Sequence, residues 1–153
     1  MSKPLNYSTK ISARCTAGEC LDLLAEAGAD AVHVQYQDKR PAGLGFRLNT
    51  PHGVRDFMLP VNIDGVAVMI QIMLVTDKPH VSRSELDRLA TKAHAADVGW
   101  RVLRDWLEAQ LAIIAAGMVR LEEVMMPYME VAPGRSLWTA YLESHAGRIA
   151  IER

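Results

Sequence analysis

The chain has 153 residues, half of them hydrophobic and 23% charged, with a formal net charge of −1. A chain of this length and balance builds one core of its own, which excludes a disordered polypeptide. Near-neutrality excludes a protein that holds DNA or an acidic membrane through a single-signed field. Cys15 and Cys20 are too few for a secreted disulfide framework. Residues 1–7 lack the apolar run of a secretion signal. The most apolar stretch, 66–75, is interrupted by Gln71 and falls short of the roughly 20 residues that span a bilayer. These features predict a cytoplasmic protein with no membrane partner.

In residues 9–15, Ile11, Ala13 and Cys15 alternate with polar neighbours, the period of a short strand. Thr16 and Glu19 then stand as a capping-box pair. Cys20, Leu23, Leu24 and Ala27 share a helical face, and Gly28 is placed to end that helix in a left-handed conformation. Three period-two runs follow. Val32, Val34 and Tyr36 share a face in 31–37, Leu44, Phe46 and Leu48 in 43–49, and Phe57 and Leu59 in 54–59. Pro and Gly in the links 38–43 and 50–53 suit tight turns, so an antiparallel meander is predicted.

Asn62 can cap a helix running from 63 to about 75. Val66, Val68, Met69, Ile70, Ile72, Met73 and Leu74 make it apolar nearly all round, which predicts burial against the sheet. The same Val and Ile content also fits a central strand. Ser82 and Glu85 form a second capping box, opening a long helix that Gly117 stops. Its 3.5-period seam runs through Leu86, Leu89, Ala93, Ala96, Trp100, Leu103, Leu107 and Ile114. Asp97–Arg101, Arg101–Asp105 and Arg104–Glu108 flank the seam as opposite charges four apart, and Gly99 is the expected kink or division. A short helix at 120–126, a loop at Pro133-Gly134, an amphipathic helix at 136–145 and a fraying tail or edge strand at 147–153 complete the reading. The predicted fold is one α+β domain over 1–153. A small antiparallel sheet in the order β-α-β-β-β-α occupies 1–76, and a helical half containing one long helix occupies 82–147.

No motif names a chemistry. Cys15, Cys20 and the scattered His33, His52, His80, His94 and His145 do not have zinc-ligand spacing, so no metal and no cofactor is expected. Asp105, Glu108, Glu122 and Glu123 each have a basic neighbour at helical spacing, which makes them solvated ion pairs before catalytic carboxylates. The reading leans away from an enzyme, although a site assembled from distant residues leaves no local motif. Two surfaces invite binding. Lys39, Arg40, Arg47, His52 and Arg55 are read as a basic rim along one end of the meander, beside a polar sheet face of His33, Gln35 and Arg47 suited to nucleic-acid phosphates or a small anion. Trp100, Trp106, Met125 and Met126 carry apolar surface suited to a protein partner or to a homo-oligomer.

Several segments, taken together, resemble a family of small uncharacterised proteins encoded by bacteriophages and prophages. They are Thr16 to Tyr36 with Gly28-Ala29, the Thr50-Pro51-His52-Gly53 turn leading to Phe57-x-Leu59-Pro60, and Trp100-Arg101-x-Leu103-x-Asp105-Trp106-Leu107-Glu108 leading to Gly117-Met118 and Met126-Pro127-Tyr128-Met129. The resemblance covers most of the chain and carries no activity or functional residue with it. It implies a bacterial cytoplasm during infection, and an accessory role in DNA metabolism or the disabling of a host protein. The lead expectation is therefore a non-enzymatic binding protein engaging nucleic acid or a nucleic-acid-processing complex. Its alternatives are a protein-directed inhibitor and a module that sequesters nucleotides or anions.

Overall fold

The computed structural model describes residues 3–144, so His145 and the predicted tail at 147–153 lie outside the described residues. The fold is mixed α+β. The order is α1 (Ala13–Glu26), β1 (Ala31–Gln37), β2 (Arg40–Thr50), β3 (Gly53–Pro60), α2 (Ile63–Thr76), α3 (Arg83–Leu89), α4 (Lys92–Ala115), α5 (Leu121–Met125), β4 (Glu130–Ala132), β5 (Arg135–Ser136) and α6 (Leu137–Glu143). The strand expected at 9–15 does not form. Ser12 caps α1 instead, its hydroxyl accepting from the Cys15 amide, and the carboxylate of Asp97 on α4 accepts from the Ala13 amide at 2.7 Å. With the helix opening four residues early, Thr16 becomes a fully buried interior position, and the expected capping box has no helix end to serve.

The meander forms as read, in the order β1-β2-β3, antiparallel throughout. Its first turn differs in detail. Asp38 and Lys39 alone make it, both at positive φ as a two-residue hairpin requires. Pro41 lies inside β2, next to the bulge at Gln35/Tyr36 and beyond the end of the pairing with β3, where its missing N–H costs no ladder bond. In the second turn Thr50 supplies the local bonds, its hydroxyl accepting from His52 N–H and donating to the Gly53 carbonyl.

One face of the sheet carries Leu44, Phe46, Leu48, Phe57 and Leu59, all buried, with the Phe46 and Phe57 rings stacked at 5.2 Å. Each such side chain removed from water contributes about 1.5–3 kcal/mol. Both α1 and α4 pack on this side. The inward side of α1 is built from small residues, Ala13, Thr16, Ala17 and Cys20, ahead of Leu24, and α4 answers with Ala95 and Ala96. Arg101 pairs with Glu19 across the two helices, so it does not make the expected i,i+4 bonds along α4; of the three predicted pairs only Arg104–Glu108 is made.

The predicted long helix is two helices. The break falls at Ala90-Thr91, where Thr91 caps α4, and not at Gly99. A Cβ on Gly99 would stand 2.8 Å from Val61 and 3.5 Å from Val66, so this glycine is a notch that lets α4 approach its neighbours. Residues 63–76 are helical, as the Asn62 cap suggested, and the strand alternative is excluded. However, α2 packs on α4 and not on the sheet, and much of its apolar surface stays open. Gly117 ends α4 at positive φ as expected. Pro133-Gly134 turns a small β4–β5 hairpin, and Met129 bridges to Phe57 on the β3 edge.

Candidate functional site

The basic rim is not a single feature. Successive turns of a meander point to opposite ends of the sheet, so Lys39 and Arg40 sit at one end while His52 and Arg55 sit at the other. The eleven residues of β2 between them span roughly 30 Å. Arg47 lies on the outer face toward the His52 end, where it forms a two-pronged bond with Asp56 directly opposite on β3, at 2.7 and 3.1 Å. That hydrogen bond holds the Asp56 carboxyl below its usual range and pushes the Arg47 guanidinium up. The pair is neutral as a unit. Arg55 turns onto its own strand, donating to the Val54 carbonyl at 2.9 Å.

The polar outer face does exist. His33 and Gln35 stand opposite Gly45 and Gly43, and both side chains lean over those glycines. A Cβ on Gly45 would lie 2.1 Å from the His33 ring. Arg40 lines a separate cavity of about 590 Å³ together with Asp38, Asn62, Asp64 and Lys92. Lys92 is bonded to Asp64 at 3.0 Å, so the two cations there are matched by two carboxylates. Another cavity, of about 650 Å³, separates Gln35 and Met58 from Arg135, Trp138 and Thr139.

The apolar surface is also redistributed. Trp100 and Met125 are fully buried, which removes them from any partner surface. The Trp100 indole N–H donates to the Pro41 carbonyl at 2.8 Å, tying α4 to β2. Met126 is exposed. Trp106 is half-buried, edge-on to Tyr128 at 6.0 Å, and faces a groove of about 520 Å³ between α2 and α4. Val66, Met69, Val102, Leu103 and Tyr128 line that groove with Trp106, and Pro4 and Leu5 close one side. Only Asn62, Trp106 and Tyr128 among the lining side chains carry any polar side-chain atom, and none is a carboxylate, imidazole or thiol. Sequence reasoning reached Trp106 but not Met69 or Val102. The available signal was that α2 is apolar on more sides than one neighbour can cover.

The groove's N-terminal wall is tied down. His94, buried at the start of α4, is bonded through Nε2 to the Tyr7 carbonyl and through Nδ1 to Arg88, which also donates to the Thr9 carbonyl at 3.1 Å. Asn6 donates to Asp105 at 2.9 Å. Cys20 is buried, and desolvation pushes its thiol up to about 11, while Cys15 is exposed. Among the described residues no three of His, Cys, Asp and Glu gather as metal ligands do, and no helix is long and apolar enough to cross a membrane. No protein-family model, curated protein or solved structure matches the chain.

Proposed function

We propose that this protein works by binding, and that its target is an apolar segment of another protein held in the groove between α2 and α4. The observation that carries the reading is the groove itself, about 520 Å³ of concave surface walled by Val66, Met69, Val102, Leu103, Trp106 and Tyr128. Binding sites are mostly apolar concavities with a few polar groups that fix orientation, and aromatic and methionine side chains are favoured where proteins meet. The nucleic-acid reading draws less support, because its five basic residues are divided between two ends of the sheet and Arg47 is neutralised by Asp56. The setting attached to the proposal, a bacteriophage or prophage accessory protein in the bacterial cytoplasm, rests on the sequence resemblance alone.

The test is affinity capture from phage-infected bacteria, with and without nuclease, comparing the native chain with Met69→Glu. Met69 is exposed, so the variant keeps its fold, which circular dichroism verifies. The expected result is a protein retained through nuclease and through raised salt, and lost from Met69→Glu. A steep fall with salt is the mark of phosphate contacts. Capture abolished by nuclease, or a partner that Met69→Glu holds equally well, sinks the proposal.

A further inference from the structure

The cavity over the outer face of the sheet is chemically unlike the groove, with which it shares only Pro60 and Tyr128. Its floor follows from Gly43 on the middle strand. A Cβ there would stand 3.2 Å from both Gln35 Oε1 and Met58 Sδ, so these two side chains reach in from β1 and β3 and meet over the glycine. Its roof is the β4–β5 hairpin with α6. Short ties hold that roof in place: Met129 bridges to Phe57, Glu130 pairs with Ser136, and the Leu137 N–H donates to the Met129 carbonyl at 2.8 Å. Trp138 of α6 lines the space together with Tyr128.

Two of the lining residues are charged, Glu130 and Arg135. Arg135 is bonded to Glu143 at 2.5 Å. Half-buried Glu130 has no hydrogen-bond or ion-pair partner for its carboxylate among the described residues, and the Gln35 amide has none either. The cavity therefore presents one unmatched negative charge, an unused amide oxygen and two aromatic rings.

We propose that this cavity binds an organic cation, a protonated amine carried on a small aromatic or aliphatic body. An ammonium has three donors and no acceptor, which suits a carboxylate and an amide oxygen, and its bond to Glu130 is charge-assisted. The rings of Trp138 and Tyr128 attract a cation through their electron-rich faces. The Met58 thioether is polarizable and packs against the body of the ligand. A volume of about 650 Å³ falls in the range of small-molecule sites. An anion would have to draw Arg135 away from Glu143 and would then face Glu130.

Titration of the isotope-labelled native chain with 2-phenylethylammonium, followed by NMR, tests this. The amine should move the Trp138 indole N–H and the Gln35 and Glu130 amides, with a dissociation constant of about 1 mM or tighter, ordinary for so small a ligand. The isosteric 2-phenylethanol, which lacks the charge, should bind about tenfold more weakly. Glu130→Gln should abolish the preference for the amine, and Glu130→Asp, which keeps the charge, should retain it. Trp138→Leu stays apolar but loses the ring face, and should weaken amine binding by about threefold. No saturable shift, an alcohol that binds as well as the amine, phenylacetate binding more tightly than either, or a preference that survives Glu130→Gln overturns the proposal. Met69→Glu, which strikes the groove, should leave amine binding unchanged, so the two sites stand or fall separately.

Discussion

Helices α2 and α4 lie against each other, are both rich in apolar residues, and use them differently. In α4 the apolar positions face inward, where His94, Ala95, Ala96, Val98, Gly99, Trp100 and Leu107 are buried, and the outward side carries Arg104, Asp105 and Glu108. In α2 only Ile63, Ile70 and Met73 are buried, and the side facing water is as apolar as the side facing α4. The lesson is that apolar content locates a helix, whereas the number of neighbours within reach decides which part of it becomes core. Because α1 already occupies the sheet beside α4, α2 is left in an outer layer.

The contrast can be broken by substitution. The largest effect is expected at Trp100→Ala, which empties a fully buried site and leaves the Pro41 carbonyl without its donor. Chemical denaturation should show a loss of about 3–5 kcal/mol. Gly99→Leu drives a side chain into Val61 and should cost about 1–3 kcal/mol by the same measurement, in spite of the better helix propensity of leucine. Thr16→Val should raise stability by about 1 kcal/mol, since the buried Thr16 hydroxyl has no hydrogen-bond partner among the described residues and valine fills nearly the same space. The smallest effect belongs to α2. Val68→Ser, at a half-exposed position, should change stability by no more than about 0.5 kcal/mol. A loss at Val68 comparable to that at Trp100 would erase the distinction between the two helices.

The parts of the fold legible in the sequence were those fixed by neighbours along the chain. Asn62 caps α2 through the Gly65 amide, Gly28 and Gly117 end their helices at positive φ, and Leu44, Phe46, Leu48, Phe57 and Leu59 alternate into the core. Local signals failed where a distant group competed. The alternation of Ile11, Ala13 and Cys15 looked like a strand, but Ser12 together with Asp97, 84 residues away from Ala13, draws the segment into α1. The seam from Leu86 to Ile114 ran through Thr91 without registering that Thr91 is itself a cap. Of the site, Trp106 was found through the apolar surface it carries, and Trp100, named with it on the same ground, was misplaced because its tertiary bond to Pro41 leaves no local signal. The division of the basic residues between two ends was implicit in the parity of a meander, while the pairing of Arg47 with Asp56 depended on strand register.

The three tryptophans form a graded set of optical reporters. Trp100 is sealed in the interior, Trp106 sits at the groove wall, and Trp138 is exposed on α6, where its ring stacks on Tyr141 at 5.7 Å. With Trp138 and Trp100 replaced by phenylalanine, emission would come from the groove indole alone. Its wavelength would then follow the dryness of that wall, so occupancy could be watched in a cuvette without labelling the chain or knowing the guest.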